Sequence, residues 1–288
     1  MSAEVVLVGL EAPEGPVLLA PGDVVFVEQV RGQVSRVNDQ GVSVVVRRPG
    51  ALNAVTLGSD GCLYAAQNGG VVNDWRSAVP AVPSIERIRL DGTTDVVAGE
   101  AGGLPLLAPN DLAFGPDGRL YVTDPSEPYD PEHPRATARI CAFGPDGGQT
   151  VASVGASYAN GLAFLTEDRL CWVESYTRRV RVPGDEGEPR TISTLPEGHI
   201  PDGIAVAEDG RIFIASVTSG GVTVIGPAGE YLGLITLDDR ANPTNLCFDG
   251  GALWVTDFGA GFRPGDGDGR LWRVDTDARG HPLYAGSL

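Results

Sequence analysis

A hairpin pattern recurs six times along the chain and constrains the fold more than any other feature. The stretch "PNDLAFGPDGRLYVTD" (109–124) shows it best, with a polar lead residue, an apolar strand, a turn containing Asp and Gly, and a second strand. Repeats of about 40 to 50 residues with four strands each are typical of β-propellers. The lead residues of the six copies are Glu14, Asn53, Asn110, Asn160, Asp202 and Thr244, which places successive copies 39, 57, 50, 42 and 42 residues apart.

Further strand-like segments lie between the copies and can supply the two outer strands of each blade. After the sixth copy only one such strand follows, at 269–275. The N-terminal segment 3–10 can supply the missing strand and close the ring, which leaves no open sheet edge. We therefore expect residues 1–288 to form one all-β domain, a six-bladed β-propeller of four-stranded blades. A two-domain β-sandwich is the rival fold, but it would not explain the repeat.

Charge and composition exclude several classes of function. The formal net charge of −17 would repel nucleic acid and anionic membranes. The chain contains no Lys, so neither a Schiff-base mechanism nor a phosphate-binding P-loop is available. The N-terminal stretch lacks a basic region, and no apolar run approaches the roughly 18 residues of a membrane span. Four cysteines in apolar contexts without CxxC spacing indicate buried thiols and predict a cytoplasmic protein, whose oligomeric state the sequence leaves open.

The lead residues predict a cation site at one mouth of the propeller channel. The first strand of each blade lines that channel, so residues just before these strands converge. The six side chains offer carboxylate, amide and hydroxyl oxygens and no basic group, a set that suits Ca²⁺ and, less selectively, Mg²⁺, Mn²⁺ or Zn²⁺. The alternative is turn chemistry, because Asn and Asp commonly precede strands and hydrogen-bond their own backbone.

Five motifs in order carry a family resemblance that covers essentially the whole chain. "PEGPV", "PNDLAFGPDGRLYVTD", "ANGLAF", "PDGIAV" and "PTNLCF" resemble the senescence marker protein, gluconolactonase and luciferin-regenerating-enzyme family. The resemblance implies a six-bladed propeller with a central divalent metal that hydrolyses sugar lactones and related esters. By the motifs, it implies metal binding by Glu14, Asn160 and Asp202, with Asn110 close to metal and substrate.

The resemblance also has a departure and two variable loops that bear on the substrate. Some sugar lactonases of the family carry an Arg two residues before the Asn of the PND motif, whereas this chain has Ala108. This weakens the expectation of a gluconolactone-like polyol. Trp75, in the loop at 68–84, is a candidate for the pocket wall. Tyr129, in the segment 126–139 that resembles the family's variable loop over the site, is a candidate substrate contact.

The expected reaction is the hydrolysis of a small-molecule lactone or ester, with the cation polarising the carbonyl group and activating water. Asp202 is the first candidate for the base if only one of its oxygens binds the metal. Asp124 is the second, although it could equally cap backbone N–H groups at a strand end. Two alternatives stay open: a specialised propeller enzyme acting on a larger apolar metabolite, and a non-catalytic ligand-binding propeller.

Overall fold

The computed structural model describes residues 2–125, 129–135, 137–184, 187–261 and 263–288. The described residues form six four-stranded antiparallel sheets, the six blades of a β-propeller. Five blades take their strands consecutively from the chain. Blade 1 comprises Pro13–Ala20, Asp23–Glu28, Gln33–Asn38 and Gly41–Arg47; blade 2, Leu52–Leu57, Leu63–Gln67, Ser84–Ile88 and Thr94–Ala98; blade 3, Leu112–Phe114, Leu120–Asp124, Ala138–Gly144 and Gly147–Gly155; blade 4, Ala159–Phe164, Leu170–Glu174, Arg179–Val182 and Arg190–Thr194; and blade 5, Ile200–Val206, Ile212–Val217, Gly221–Ile225 and Tyr231–Thr236.

Blade 6 closes the ring with strands from both ends of the chain. Its inner strands are Pro243–Asp249 and Ala252–Asp257, followed by Gly269–Asp275. The N-terminal strand Ala3–Leu10 pairs antiparallel with Gly269–Asp275 and forms the outer edge. The predicted six-bladed fold, including closure by the N-terminal strand, is confirmed.

Among the described residues, six hydrophobic clusters lie between neighbouring blades, and a seventh, smaller cluster contains Ala12, Ala51, Val72 and Phe258. Each sheet buries residues on both faces, so a blade contributes to the cluster on either side of it. Three tryptophans take part: Trp172 lies between blades 3 and 4, Trp272 between blades 5 and 6, and Trp254 between blades 6 and 1. The four cysteines are free thiols, two buried and two half-buried.

Glycines set how closely the inner strands approach around the channel. A Cβ atom on Gly161 would lie 2.4 Å from the carbonyl oxygen of Asp202, and one on Gly203 would lie 2.2 Å from the side chain of Asn245. A Cβ atom on Gly15 would lie 2.4 Å from the Cα atom of Ala54. The glycines of the PEG, NG and DG motifs therefore let neighbouring lead residues converge.

Three further features surround the blades. Two short hairpins, Val71–Val72 with Trp75–Arg76 and Glu100–Ala101 with Leu104–Pro105, extend from blade 2 and from the connection to blade 3. The segment 279–288 crosses the opposite end of the channel, where the backbone of His281 bonds to Val206 and the amide of Ser59 bonds to Gly286. No helix in the described part of the chain is long and apolar enough to span a membrane.

Candidate active site at the channel mouth

Five of the six lead residues line one cavity of about 310 Å³ at an end of the central channel. The sixth, Thr244, is buried beside it and donates its hydroxyl to the carbonyl oxygen of Pro13 at 3.0 Å. Thr244 thus holds the strand that carries Glu14 and does not face the cavity. The side chains that the cavity brings together are Glu14, Asn53, Asn110, Asn160 and Asp202.

Glu14 is a buried carboxylate among other negative charges. Its Oε2 accepts a hydrogen bond from the amide of Gly15 at 2.7 Å. Burial raises the pKa of Glu14 well above its ordinary value, and the charges of Asp202 and Asp111 add to that effect. Like charges held close together resist ionising unless a cation compensates them.

Asp202 faces the same cavity and is half-buried there. Burial is the largest cause that raises the pKa of Asp202 well above its ordinary value; the charge of Asp111 adds to it, and a hydrogen bond from Asn160 opposes it. Among the described residues no Arg or His lines the cavity, so none of these lining side chains supplies a positive charge to the pair.

The amide of Asn160 is fixed by a chain of two hydrogen bonds. Its Nδ2 donates to Oγ of Ser175 at 3.1 Å, and Ser175 donates to the carbonyl oxygen of Pro201 at 2.8 Å. With the nitrogen engaged by the protein, the amide oxygen is left as the group available to a ligand.

The donor set at the mouth fits a hard divalent cation. It combines two carboxylates with an oriented amide oxygen, and these are oxygen ligands that Ca²⁺ and Mg²⁺ prefer. Within the described ranges no group of three or more His, Cys, Asp or Glu side chains is arranged to hold a metal. A site here therefore depends on the amide of Asn160 beside Glu14 and Asp202.

Two of the predicted substrate contacts, Asn110 and Tyr129, line the cavity. Tyr158 also lines the cavity; burial raises the pKa of its hydroxyl, and the nearby side chain of Asn110 opposes that shift. The rings of Tyr129 and Tyr158 meet edge to face at 5.3 Å, and both contact the ring of Tyr176. These rings form an aromatic wall on the side of blades 3 and 4. The rest of the predicted variable loop is only partly visible, because residues 126–128 and 136 lie outside the described residues.

Trp75 does not line the cavity, which corrects the expectation for the loop at 68–84. Its ring packs against the cluster that contains Val72 and Phe258, so it supports the wall from behind. Three neighbours on the same hairpin face the cavity instead: Val71, Val72 and Asn73.

The surroundings of Asp124 correct its candidacy as a base. The carboxylate is fully buried, accepts the backbone amide of Ala108 at 2.8 Å, and pairs with Arg139 at 3.1 Å. Asp124 is absent from the cavity lining, and both of its oxygens are engaged. Of the two roles that the sequence left open, these contacts match the strand-end cap.

Asp111, which follows Asn110 in the PND motif, affects the site through its charge. Its two oxygens accept the backbone amides of Leu112 at 2.8 Å and Leu162 at 3.3 Å. Burial raises its pKa to about 6. Asp111 borders a second cavity of about 400 Å³ at the opposite end of the channel. Its charge therefore acts on Glu14 and Asp202 from the side away from the mouth cavity.

Backbone strain is concentrated around the mouth. Six described residues other than glycine have a left-handed φ, and Asn73, Tyr158 and Thr218 line the cavity. Such conformations cost on the order of 1 to 3 kcal/mol each and cluster at functional sites. The loops at this end of the channel are therefore held in shapes that packing alone does not favour.

Comparison with known proteins places this site in a family. A gluconolactonase of Zymomonas mobilis subsp. mobilis is 26% identical over 284 residues, covering 85% of this chain and 75% of that protein. A gluconolactonase structure from Xanthomonas campestris superposes with a TM-score of 0.75 at 24% identity, covering 95% of this chain and 89% of the other. The calcium-binding protein regucalcin from Agrobacterium tumefaciens superposes at 0.77 with 16% identity, covering 97% and 95%. The model of the SMP-30/Gluconolactonase/LRE-like region matches residues 12–257, and the chain belongs to that family.

Proposed function

We propose that this protein hydrolyses a small-molecule lactone or related ester with the help of one divalent cation, Ca²⁺ in the first place and Mg²⁺, Mn²⁺ or Zn²⁺ as alternatives. The observation that carries the proposal is the meeting of Glu14 and Asp202 in one cavity with no basic side chain lining it among the described residues. Family membership and the gluconolactonase relative support the reaction class. The resemblance to a calcium-binding regucalcin supports the choice of ion.

Glu14, Asn160 and Asp202 would hold the cation. When bound, it would polarise the carbonyl group of the lactone and stabilise the negative charge that develops on its oxygen. Asn160 is oriented for this role by Ser175. The carboxylates of Glu14 and Asp202 supply the negative charge that the cation requires.

The remaining groups would position substrate and move the proton. The side chain of Asn110, which lines the cavity together with Tyr158, would orient the lactone against the cavity wall. A carboxylate oxygen of Asp202 that faces the cavity would accept the proton of the attacking water.

The test compares lactone hydrolysis by the wild type with hydrolysis by Asp202→Asn. Asp209→Asn is the matched control, because Asp209 lies on the surface of the same blade and pairs with Arg211 at 2.8 Å. We expect Asp202→Asn to lose at least 100-fold in kcat/KM and Asp209→Asn to retain wild-type rates. Full activity of Asp202→Asn would overturn the assignment, as would a metal-loaded wild type that hydrolyses no lactone or ester.

A further inference from the structure

Half of the cavity wall is apolar, which favours a substrate with an apolar part. Half of the twenty lining residues are aliphatic, aromatic or proline. Polyhydroxylated sugars need many hydrogen-bonding groups, because each buried hydroxyl must find a partner. The larger aliphatic side chains and the phenylalanine stand on the side of blades 2, 5 and 6 and at the entry to blade 3: Val71, Val72, Leu107, Ile200, Val217 and Phe258.

Several polar side chains in the wall are already occupied by the protein. Asn68 accepts the amide of Gly70 at 2.9 Å and donates to the carbonyl oxygen of Val71 at 3.1 Å. The hydroxyl of Thr218 donates to the carbonyl oxygen of Gly198 at 2.7 Å. These groups shape the wall but have little capacity left for a sugar hydroxyl.

Gln29 is a lining residue with an unpaired buried acceptor. It follows the second strand of blade 1, is only 2% exposed, and borders the cavity. Its Oε1 is buried and has no hydrogen-bond partner among the described residues. Buried polar atoms are nearly always paired with protein groups or ordered water, and a rotation of this amide toward the cavity would offer its oxygen to a ligand. An amide oxygen accepts a hydrogen bond, and the matching ligand group is a hydroxyl or another donor.

We infer that the cavity selects a lactone with a mainly apolar ring substituent bearing one hydroxyl group, and that Gln29 is the substrate-positioning residue that receives this hydroxyl. The inference rests on the proposed lactone hydrolysis for its choice of substrate. The apolar wall takes the substituent, and the amide of Gln29 turns toward its hydroxyl.

The test uses three kinds of δ-lactone. The first carries a five-carbon alkyl chain, the second is a series of isomers of that lactone with one hydroxyl group at a different position of the chain, and the third is glucono-δ-lactone. The wild type should prefer the best hydroxyalkyl isomer and use gluconolactone least. Gln29→Met should lower kcat/KM for that isomer at least tenfold, mainly through KM, and change the rate on the alkyl lactone less than about twofold. Equal effects on both lactones, or a preference for gluconolactone, would overturn the inference.

Thr218→Ala is the matched control, because it removes from the same wall a hydroxyl that the protein already uses. It should leave the preference between the alkyl and hydroxyalkyl lactones unchanged. Gln29→Met should also raise the unfolding midpoint of the ligand-free protein by roughly 2 °C or more, since it removes an unpaired buried group. A lower midpoint would contradict the unpaired state of Gln29.

Binding of non-hydrolysable lactams separates this inference from the proposed function. Calorimetry would compare the hydroxyalkyl and alkyl lactams on the wild type and on Gln29→Met. If the wild type hydrolyses no lactone but binds the hydroxyalkyl lactam at least tenfold more tightly than Gln29→Met does, the proposed function fails and the role of Gln29 stands. If lactones are hydrolysed but the two proteins bind both lactams alike, the role of Gln29 falls and the proposed function stands.

Discussion

The carboxylates of Glu14 and Asp202 face one cavity, and the charge of Asp202 helps to raise the pKa of Glu14. The two residues begin the inner strands of blades 1 and 5, which the sequence separates widely and the ring brings together. Their mutual repulsion is a cost that a bound cation removes. Ligand affinity and protein stability are therefore linked through the same pair.

Glu14→Gln should weaken cation binding at least tenfold while the protein stays folded, because it removes one of two formal charges from the ligand set. Calorimetric titration with Ca²⁺ after chelator treatment measures the effect. Without a cation, the variant should be at least as stable as the wild type, since the repulsion from Asp202 is relieved. The exposed Glu4→Gln serves as the control. Unchanged affinity would reduce Glu14 to a turn residue that caps Gly15.

Ser175→Ala tests whether the orientation of Asn160 matters. The substitution removes the hydroxyl that accepts from Asn160 Nδ2 at 3.1 Å and frees the amide to rotate. Groups that orient a metal ligand are commonly worth 10- to 100-fold in affinity, and we expect a loss of roughly tenfold. Cation titration of the variant checks this. Wild-type affinity would show that Asn160 is held without Ser175 or does not bind the cation.

Asp124→Ala should damage the fold and spare the chemistry. It leaves the guanidinium of Arg139 buried without its carboxylate partner, a change that typically costs about 3 to 5 kcal/mol. Chemical denaturation measures the loss. Asp124→Asn keeps an acceptor oxygen for the amide of Ala108, and its folded fraction should retain near wild-type kcat. A stable Asp124→Asn protein that has lost catalysis would restore Asp124 as the base.

Asp111 should make the unfolding free energy fall as pH rises. Its pKa is raised to about 6 in the folded protein, so between about pH 4 and pH 6 the folded state keeps a proton that the unfolded state releases. The cost is absent below pH 4 and complete above about pH 6. In chelator, the wild type should lose up to about 3 kcal/mol relative to Asp111→Asn between pH 4 and pH 7, part of it through Glu14 and Asp202. Parallel pH profiles would contradict this.

Much of the fold was predictable because one local pattern repeats. Each hairpin has its own turn residues and its own alternation of apolar and polar side chains. These local signals are nearly enough to specify a four-stranded blade. Closure by the N-terminal strand followed from the missing fourth strand of the last blade. The convergence of Glu14, Asn160 and Asp202 followed from their common place before the inner strands.

The parts of the site that the sequence did not predict depend on non-repeating contacts. Gln29 lies after the second strand of blade 1, where nothing in the repeat marks it. Trp75 and Val72 stand on one short hairpin and pack in the same cluster as Phe258, yet of these two only Val72 lines the cavity. The role of Asp124 depends on Arg139, a partner that lies on the next strand of the same blade. Asp111 could have been noticed, because it occupies the place that Gly15, Gly161 and Gly203 take in other copies.

The most direct test titrates Ca²⁺ into chelator-treated wild-type protein while lactone hydrolysis is followed on the same samples. The account predicts one bound cation per chain, with the rate rising in proportion to occupancy and falling to background on renewed chelation. A rate that is independent of the cation, or tight cation binding that survives in an Asp202→Ala, Glu14→Gln double variant, would contradict a metal-dependent hydrolase at this channel mouth.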